Sequence, residues 1–292
     1  MADGLITLAA GPLSLTLSPP TGGSIARFDH IIDGNRFPIL RGCDGPPDDV
    51  LATASFPLVP FVNRIRGGEF SFRGRAVRLA LNMKGDPSPL HGQGWLVPWS
   101  VVEASADQAL LHFEHEAGEW PWSYVAEQHF ALGPDGLAVS LSCTNRSLEP
   151  MPCGLGQHPY FNCGAATRIE AEVANVWLVD EQVLPTEMVP AEGRYDLSGT
   201  AVCGLGLDHG FGGWGGVARV SDPAWPVELV ISSPDAAFLQ LYSPPDGGIF
   251  VAEPVTHANA ALNAPESDWP KLGMKILEGG EAMSMTMFLG VS

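Results

Sequence analysis

The chain has 292 residues, 45% hydrophobic and 16% charged, a composition that fits a globule and excludes a disordered or membrane-embedded chain. Fifteen basic residues against 33 acidic ones leave a net charge of −18, which repels phosphate backbones and anionic lipid surfaces and argues against nucleic-acid or membrane partners. The N-terminal "MADGLITLAAGPL" lacks the basic segment and long apolar run of a signal peptide. The five cysteines, at 43, 143, 153, 163 and 203, are odd in number, widely spaced and free of any CxxC pair. They read as reduced thiols in a cytoplasmic protein, with no zinc or disulfide framework.

Along the chain, 34 glycines and 26 prolines interrupt every candidate helix, and short runs with a period of two lie between them. "LSLTLS" puts Leu13, Leu15 and Leu17 on one face of a strand. Residues 41–55, "RGCDGPPDDVLATAS", read as a long surface loop. "EFSFRGRAVRL" alternates Phe70 and Phe72, turns near Arg73-Gly74, then alternates Val77 and Leu79, the pattern of a hairpin. "ALLHFEHE", "LAVSLSC", "AFLQLYS" and "MSMTMFLGV" continue the strand pattern, and "NAPESDWP" (263–270) reads as a second surface loop. No linker or internal repeat divides the chain. The expectation is an all-β protein, a large twisted antiparallel β-sandwich forming a single domain over residues 1–292.

Five segments combine reactive side chains with turn residues: "PFVNRIRGG" (60–68), "PLHGQGW" (89–95), "GQHPYFN" (156–162), "GLDHGF" (206–211) and "VAEPVTHANAALN" (251–263). His158 stands directly before Pro159, whose ring pushes it toward extended backbone, and after Gly154 and Gly156, which permit unusual backbone angles. Such a histidine sits at a strand end or loop, where it can face a pocket. Glu253 closes the apolar run "GGIFVA", where a carboxylate is costly unless paired or used. Arg64 follows the apolar "FPLVPFVN" and needs a partner there, a carboxylate or a sugar hydroxyl. Arg73, Arg75 and Arg78 fit a solvated hairpin face. His91 is as easily a structural histidine, and Asp208 as easily a turn cap.

A metal is not supported. Pro254 opposes a helix that would align Glu253 with His257, and His112 and His115 would point to opposite faces of a strand. "GGWGG" (212–216) lacks the GK[ST] ending of a phosphate loop, and no G-x-S-x-G elbow supplies a serine nucleophile. What remains is a metal-free acid–base site of histidine and glutamate with arginine and aromatic support.

In that order, "NRIRGGEFSFRGRAVRL", "PLHGQGW", "MPCGLGQHPYF", "GLDHGF" and "VAEPVTHANAALN" resemble the aldose 1-epimerase (galactose mutarotase) family, from about residue 20 to the C-terminus. The resemblance implies a large β-sandwich and interconversion of the α and β anomers of a neutral aldose. It assigns His158 as general acid and Glu253 as general base, with Arg64, His91 and Asp208 binding the sugar. It implies no cofactor or metal, and a monosaccharide as partner to a monomer or homodimer. Trp95, Tyr160, Phe161, Trp214 and Tyr242 are candidates to stack on the sugar. The alternatives are a hexose-6-phosphate 1-epimerase using Arg66 or Arg73, a glycosidase pairing Asp208 with Glu253, and a non-catalytic sugar-binding or sensor protein.

Overall fold

Period-two alternation becomes an almost entirely antiparallel β protein. The computed structural model describes residues 4–292. Its largest sheet has nine strands, running from Ser198–Ala201 at one edge to Ser100–Ala104 at the other. The long strands Ala282–Val291, Gly136–Asn145 and Tyr124–Gly133 form its centre. An eight-stranded sheet carries Leu207–Gly212, Phe238–Ser243 and Ile249–Val255 side by side, with the short strands Gly156–Gln157 and Tyr160–Asn162 both pairing on Ile249–Val255. A four-stranded N-terminal sheet (Ile6–Ala10 to Asn35–Pro38) and two two-stranded ladders complete the fold. No helix among the described residues is long and apolar enough to cross a membrane.

The expected strands are present. Leu13, Leu15 and Leu17 are buried on one face of Leu13–Ser18, and Glu69–Phe72 pairs with Arg75–Arg78 around Arg73-Gly74. Arg75 and Arg78 reach Glu149 and Glu69 on the exposed outer face of that hairpin, and Arg73 reaches Glu278.

Three readings need correction. Segment 41–55 is not wholly a surface loop, because Val50 and Thr53 to Ser55 turn inward and are buried. Trp269 in the second loop is likewise buried, stacked on Phe72. Cys163 and Cys203 are joined in a disulfide with their Cα atoms 5.6 Å apart, so only Cys43, Cys143 and Cys153 are free thiols. Sequence spacing hid this pair, because the strand pairing brings together residues 40 apart in the chain.

Alternation also sorts the site from the core. In Ile249–Val255 the side chains of Phe250 and Ala252 enter the main core with Leu239 and Leu241 of the neighbouring strand. Val251, Glu253 and Val255 face the other way. There a second, smaller cluster of Phe56, Leu58, Val62, Leu90, Trp95 and Tyr160 covers the sheet. Glu253 is therefore placed on the loop-covered face, outside the sandwich core.

The glycines beside His158 serve packing and not unusual backbone angles. Neither Gly154 nor Gly156 has a positive φ. A Cβ on Gly154 would lie 2.0 Å from Cδ2 of His257, and one on Gly156 would lie 2.9 Å from side-chain carbons of Leu58 and Val255. His257 is pinned in turn, accepting the Val62 N–H at Nε2 (3.0 Å) and donating from Nδ1 to the Ala258 carbonyl (2.8 Å). Gly154→Ala is expected to lower unfolding free energy by about 1–3 kcal/mol, the usual range for overpacking. Urea denaturation showing no loss would contradict this account of the glycine.

Candidate active site

The strand register brings the predicted residues to one cavity of about 330 Å³. Gln240 lies opposite Glu253 on adjacent strands, and Tyr242 lies opposite Asp208 on the next pair. Tyr242, Asp208 and Glu253 line the cavity from the sheet side; the loops contribute Arg64, His91 and His158. All five residues singled out for acid–base chemistry or sugar binding thus share this cavity.

His158 sits between the short strands Gly156–Gln157 and Tyr160–Asn162, its backbone N–H donating to the Phe56 carbonyl at 3.1 Å. Its ring packs against Phe56 (4.4 Å, nearly parallel) and against the tilted ring of Tyr160 (4.6 Å). Phe56 stacks in turn on Trp95 at 5.3 Å. His158 Nε2 lies 3.4 Å from Glu253 Oε1. The two residues are 7% and 2% exposed, and neither His158 Nδ1 nor Glu253 Oε2 has a hydrogen-bond partner among the described residues.

Burial dominates the charge of both groups. It pushes the His158 imidazole down to about 3, with the Arg41 cation a lesser contribution in the same direction. It pushes the Glu253 carboxyl well up; Asp208 adds to the rise and Arg64 opposes it. Each group is driven toward its neutral form, so the resting pair holds one proton, on the carboxyl. An ion pair would hold the same single proton displaced across the 3.4 Å gap.

Arg64 has two carboxylate partners, Asp86 at 2.9 Å and Asp208 at 3.4 Å. Asp208 also accepts a hydrogen bond from Gln240 Nε2 at 2.6 Å. The Arg64 backbone N–H is held by Asn259 Oδ1. His91 and Asn63 both have positive φ, and His91 Nδ1 accepts the Asn63 N–H at 3.1 Å. Burial drives the His91 imidazole down as well, so it stays neutral. With Nδ1 occupied as an acceptor, Nε2 carries the proton of that neutral ring.

Other expectations resolve differently. Of the stacking candidates, Tyr160, Tyr242 and Trp95 line the cavity, whereas Phe161 packs on Phe250 in the core and Trp214 donates to the Val217 carbonyl, away from it. His257 is structural, and no cluster of three or more metal-ligating side chains occurs among the described residues. Arg41, Phe56, Asp86 and Gln240 went unflagged in the sequence. Gln240 was the most findable, a glutamine within the apolar "AFLQLYS". Arg41 had no local signal, because the ring it covers is 119 positions away at Tyr160, where its carbon Cζ lies 3.7 Å from the ring centre.

The model of the aldose 1-epimerase family matches residues 5–288. The chain belongs to this family. Among curated relatives, the uncharacterized Escherichia coli K12 protein YphB is 34% identical over 299 residues, covering 98% of each chain. The crystal structure of a candidate aldose 1-epimerase from Escherichia coli K12 superposes with a TM-score of 0.88 at 32% identity, covering 99% of this chain and 98% of the other. A galactose mutarotase-like protein from Clostridium acetobutylicum gives 0.86 at 21% identity over 99% and 95% of the two chains, a likeness of fold alone. As in these neighbours, the fold of this aldose 1-epimerase family member is galactose mutarotase-like.

The opposed directions at His158 and Glu253 have opposite consequences for stability. The raised Glu253 carboxyl keeps a proton that the unfolded chain has lost above its ordinary value of 4.5, so it costs the fold increasingly as pH rises. The depressed His158 excludes a proton that the unfolded chain binds below 6.5, so it costs the fold as pH falls from there toward 3. Relative to the parent, Glu253→Gln should therefore gain stability between pH 5 and 8, and His158→Asn should gain it between pH 7 and 5. Each gain should approach about 1.4 kcal/mol per pH unit at most. Thermal unfolding across that range checks both signs; opposite slopes would indicate a resting ion pair.

Proposed function

We propose that the protein is an aldose 1-epimerase that interconverts the α and β anomers of a neutral aldose by acid–base opening and closure of the sugar ring. The observation that carries this reading is the buried His158–Glu253 pair, 3.4 Å apart in a cavity large enough for one monosaccharide. Opening a hemiacetal requires removal of a proton from the C1 hydroxyl and delivery of one to the ring oxygen. In the complex with the closed sugar, His158 holds the pair's proton and Glu253 is ionised beside Arg64. Glu253 takes the C1 hydroxyl proton, His158 gives its proton to the ring oxygen, and the C1–O5 electron pair leaves with that oxygen. The aldehyde turns about C1–C2, and reclosure on its other face returns both protons.

Ring opening thus moves a net proton from His158 to Glu253 by way of the sugar. The product state is the neutral pair that burial favours, so the site's electrostatics offset part of the cost of opening. Arg64 and Asp208 suit adjacent sugar hydroxyls as donor and acceptor, and neutral His91 adds a donor at Nε2. No electrons are gained or lost, and the chemistry calls for no cofactor.

A neutral substrate is supported by where most of the nearby cations are committed; Arg41, which also lines the cavity, is engaged by the Leu51 and Thr53 carbonyls. Arg64 already faces two carboxylates, Arg66 approaches Asp180 at 3.8 Å, and Arg73 lies by Glu278. These three therefore leave little positive potential for a phosphate. Polarimetry of freshly dissolved α-anomers across a panel of neutral aldoses should show strong acceleration of mutarotation, and their 6-phosphates should be turned over far more slowly. Equal or better catalysis on glucose 6-phosphate would assign the protein to the phosphosugar branch. No acceleration with any sugar, phosphorylated or not, would leave a binding protein.

A further inference from the structure

The pair described above accounts for the reacting protons, but not for what holds the imidazole in its place. No carboxylate or carbonyl holds His158 Nδ1, which has no hydrogen-bond partner among the described residues. The ring is instead fixed by stacking on Phe56 at 4.4 Å and by the tilted ring of Tyr160 at 4.6 Å, these two rings being themselves 6.2 Å apart. Tyr160 is backed by Arg41, whose guanidinium carbon lies 3.7 Å from the ring centre. Arg41, Tyr160, His158, Phe56 and Trp95 thus form one continuous cluster of ring contacts.

Arg41 is tied to this position by several bonds. Its backbone N–H donates to the Tyr160 carbonyl at 2.8 Å, and Nη2 donates to the Leu51 and Thr53 carbonyls at 2.5 and 2.6 Å. The adjoining chain follows suit: Tyr160 N–H donates to the Ala54 carbonyl and His158 N–H to that of Phe56. The segment that Arg41 clamps is therefore the segment that carries Phe56. Arg41 also differs from Arg64 in its charge. It makes no ion pair with any carboxylate among the described residues, whereas Arg64 faces two.

We propose that Arg41 is a positioning residue for His158: through Tyr160 its guanidinium braces the imidazole, and its uncompensated charge keeps a second proton off the acid–base pair. The charge lies no farther from the imidazole than the two stacking separations combined, close enough to matter in a site withdrawn from water. The other groups facing His158 are Glu253, from the strand Ile249–Val255, and His91, whose ring lies 5.4 Å away on the 89–95 loop. His91 is held neutral by burial, and Arg64 and Asp208 act on Glu253. Arg41 is then the fixed cation on the Tyr160 side of the pair, consistent with the direction of its effect on His158. A pair that took up a second proton could no longer remove one from the sugar.

The proposal rests on the acid–base reading of the site, and two variants test it. Arg41→Gln keeps hydrogen-bond donors for the Leu51 and Thr53 carbonyls but removes the charge. Arg41→Lys keeps the charge but loses the flat stacking surface. In Arg41→Gln the acid limb of kcat/KM should move up by about one pH unit. In Arg41→Lys it should stay at the parental position while kcat falls several-fold. A purely structural arginine would lower thermal stability without moving the limb. An unmoved limb in folded Arg41→Gln, or an equal movement in both variants, would overturn the proposal. If Arg41→Gln does not fold, a limb displaced by a full pH unit in Arg41→Lys would overturn it alone, since the charge is retained there. Nitrogen-15 NMR of the His158 imidazole, titrated without sugar from neutrality down through the value of about 3 to which burial pushes it, separates this proposal from the proposed activity. Earlier protonation in Arg41→Gln than in the parent supports the role of Arg41 even if no sugar is turned over, and identical titrations overturn it.

Discussion

An imidazole and a carboxyl 3.4 Å apart and almost wholly withdrawn from water share one proton far more readily than they hold two or none. Much of the surrounding structure bears on that constraint. With one proton, the pair has a donor and an acceptor at once, and exchanging them changes the net charge of the cavity by nothing. A hemiacetal needs both functions in the same event. The same burial that keeps the pair neutral in the free protein lies on the side of the opened sugar, so one electrostatic feature serves both the resting state and the proposed reaction.

The fold supports this from two sides. The strand Ile249–Val255 is anchored by its neighbours, and alternation sends Phe250 and Ala252 into the main core and Glu253 to the opposite face. The carboxyl is thereby fixed on a strand paired along both edges. His158 is held differently, on a two-residue break between short strands, by ring stacking and backbone bonds to the segment 53–56. Arg64 and His91 come from loops shaped by the left-handed backbone at Asn63 and His91, and their exact placement is a product of tertiary contacts. A strand-borne carboxyl facing a ring-packed imidazole over a polar rim is an arrangement suited to holding a small ring at one orientation.

Much of this was legible in the amino-acid order. The period-two runs gave the strands because each has one face in the core, and "LSLTLS" or "AFLQLYS" could hardly bury their leucines in any other way. Glu253 stood out for a physical reason, a carboxyl closing an apolar strand, and His158 for its proline. The illegible parts depend on residues far apart in the chain. Arg41 meets Tyr160, Arg64 meets Asp86 and Asp208, and Cys163 meets Cys203 only once the sheets form. Gly154 and Gly156 were noticed for the wrong reason, since what requires them is the space taken by His257, Leu58 and Val255. Segment 41–55 looked exposed from its polar first half, yet Arg41 and Leu51 line the site, and Val50 and Thr53 to Ser55 are buried.

The most direct measurement of the central claim is the rate of anomer exchange, followed by polarimetry or NMR, in His158→Asn, Glu253→Gln and the double variant. Each amide keeps much of the original shape and removes proton transfer. A positioned acid or base contributes roughly 10²–10⁴-fold, so each single variant should lose kcat by about that factor while remaining folded and binding sugar through Arg64, His91 and Asp208. Because the two protons move in one event, the double variant should be little slower than the poorer single one. Near-parental kcat in folded His158→Asn, or losses that multiply in the double variant, would contradict a shared-proton pair.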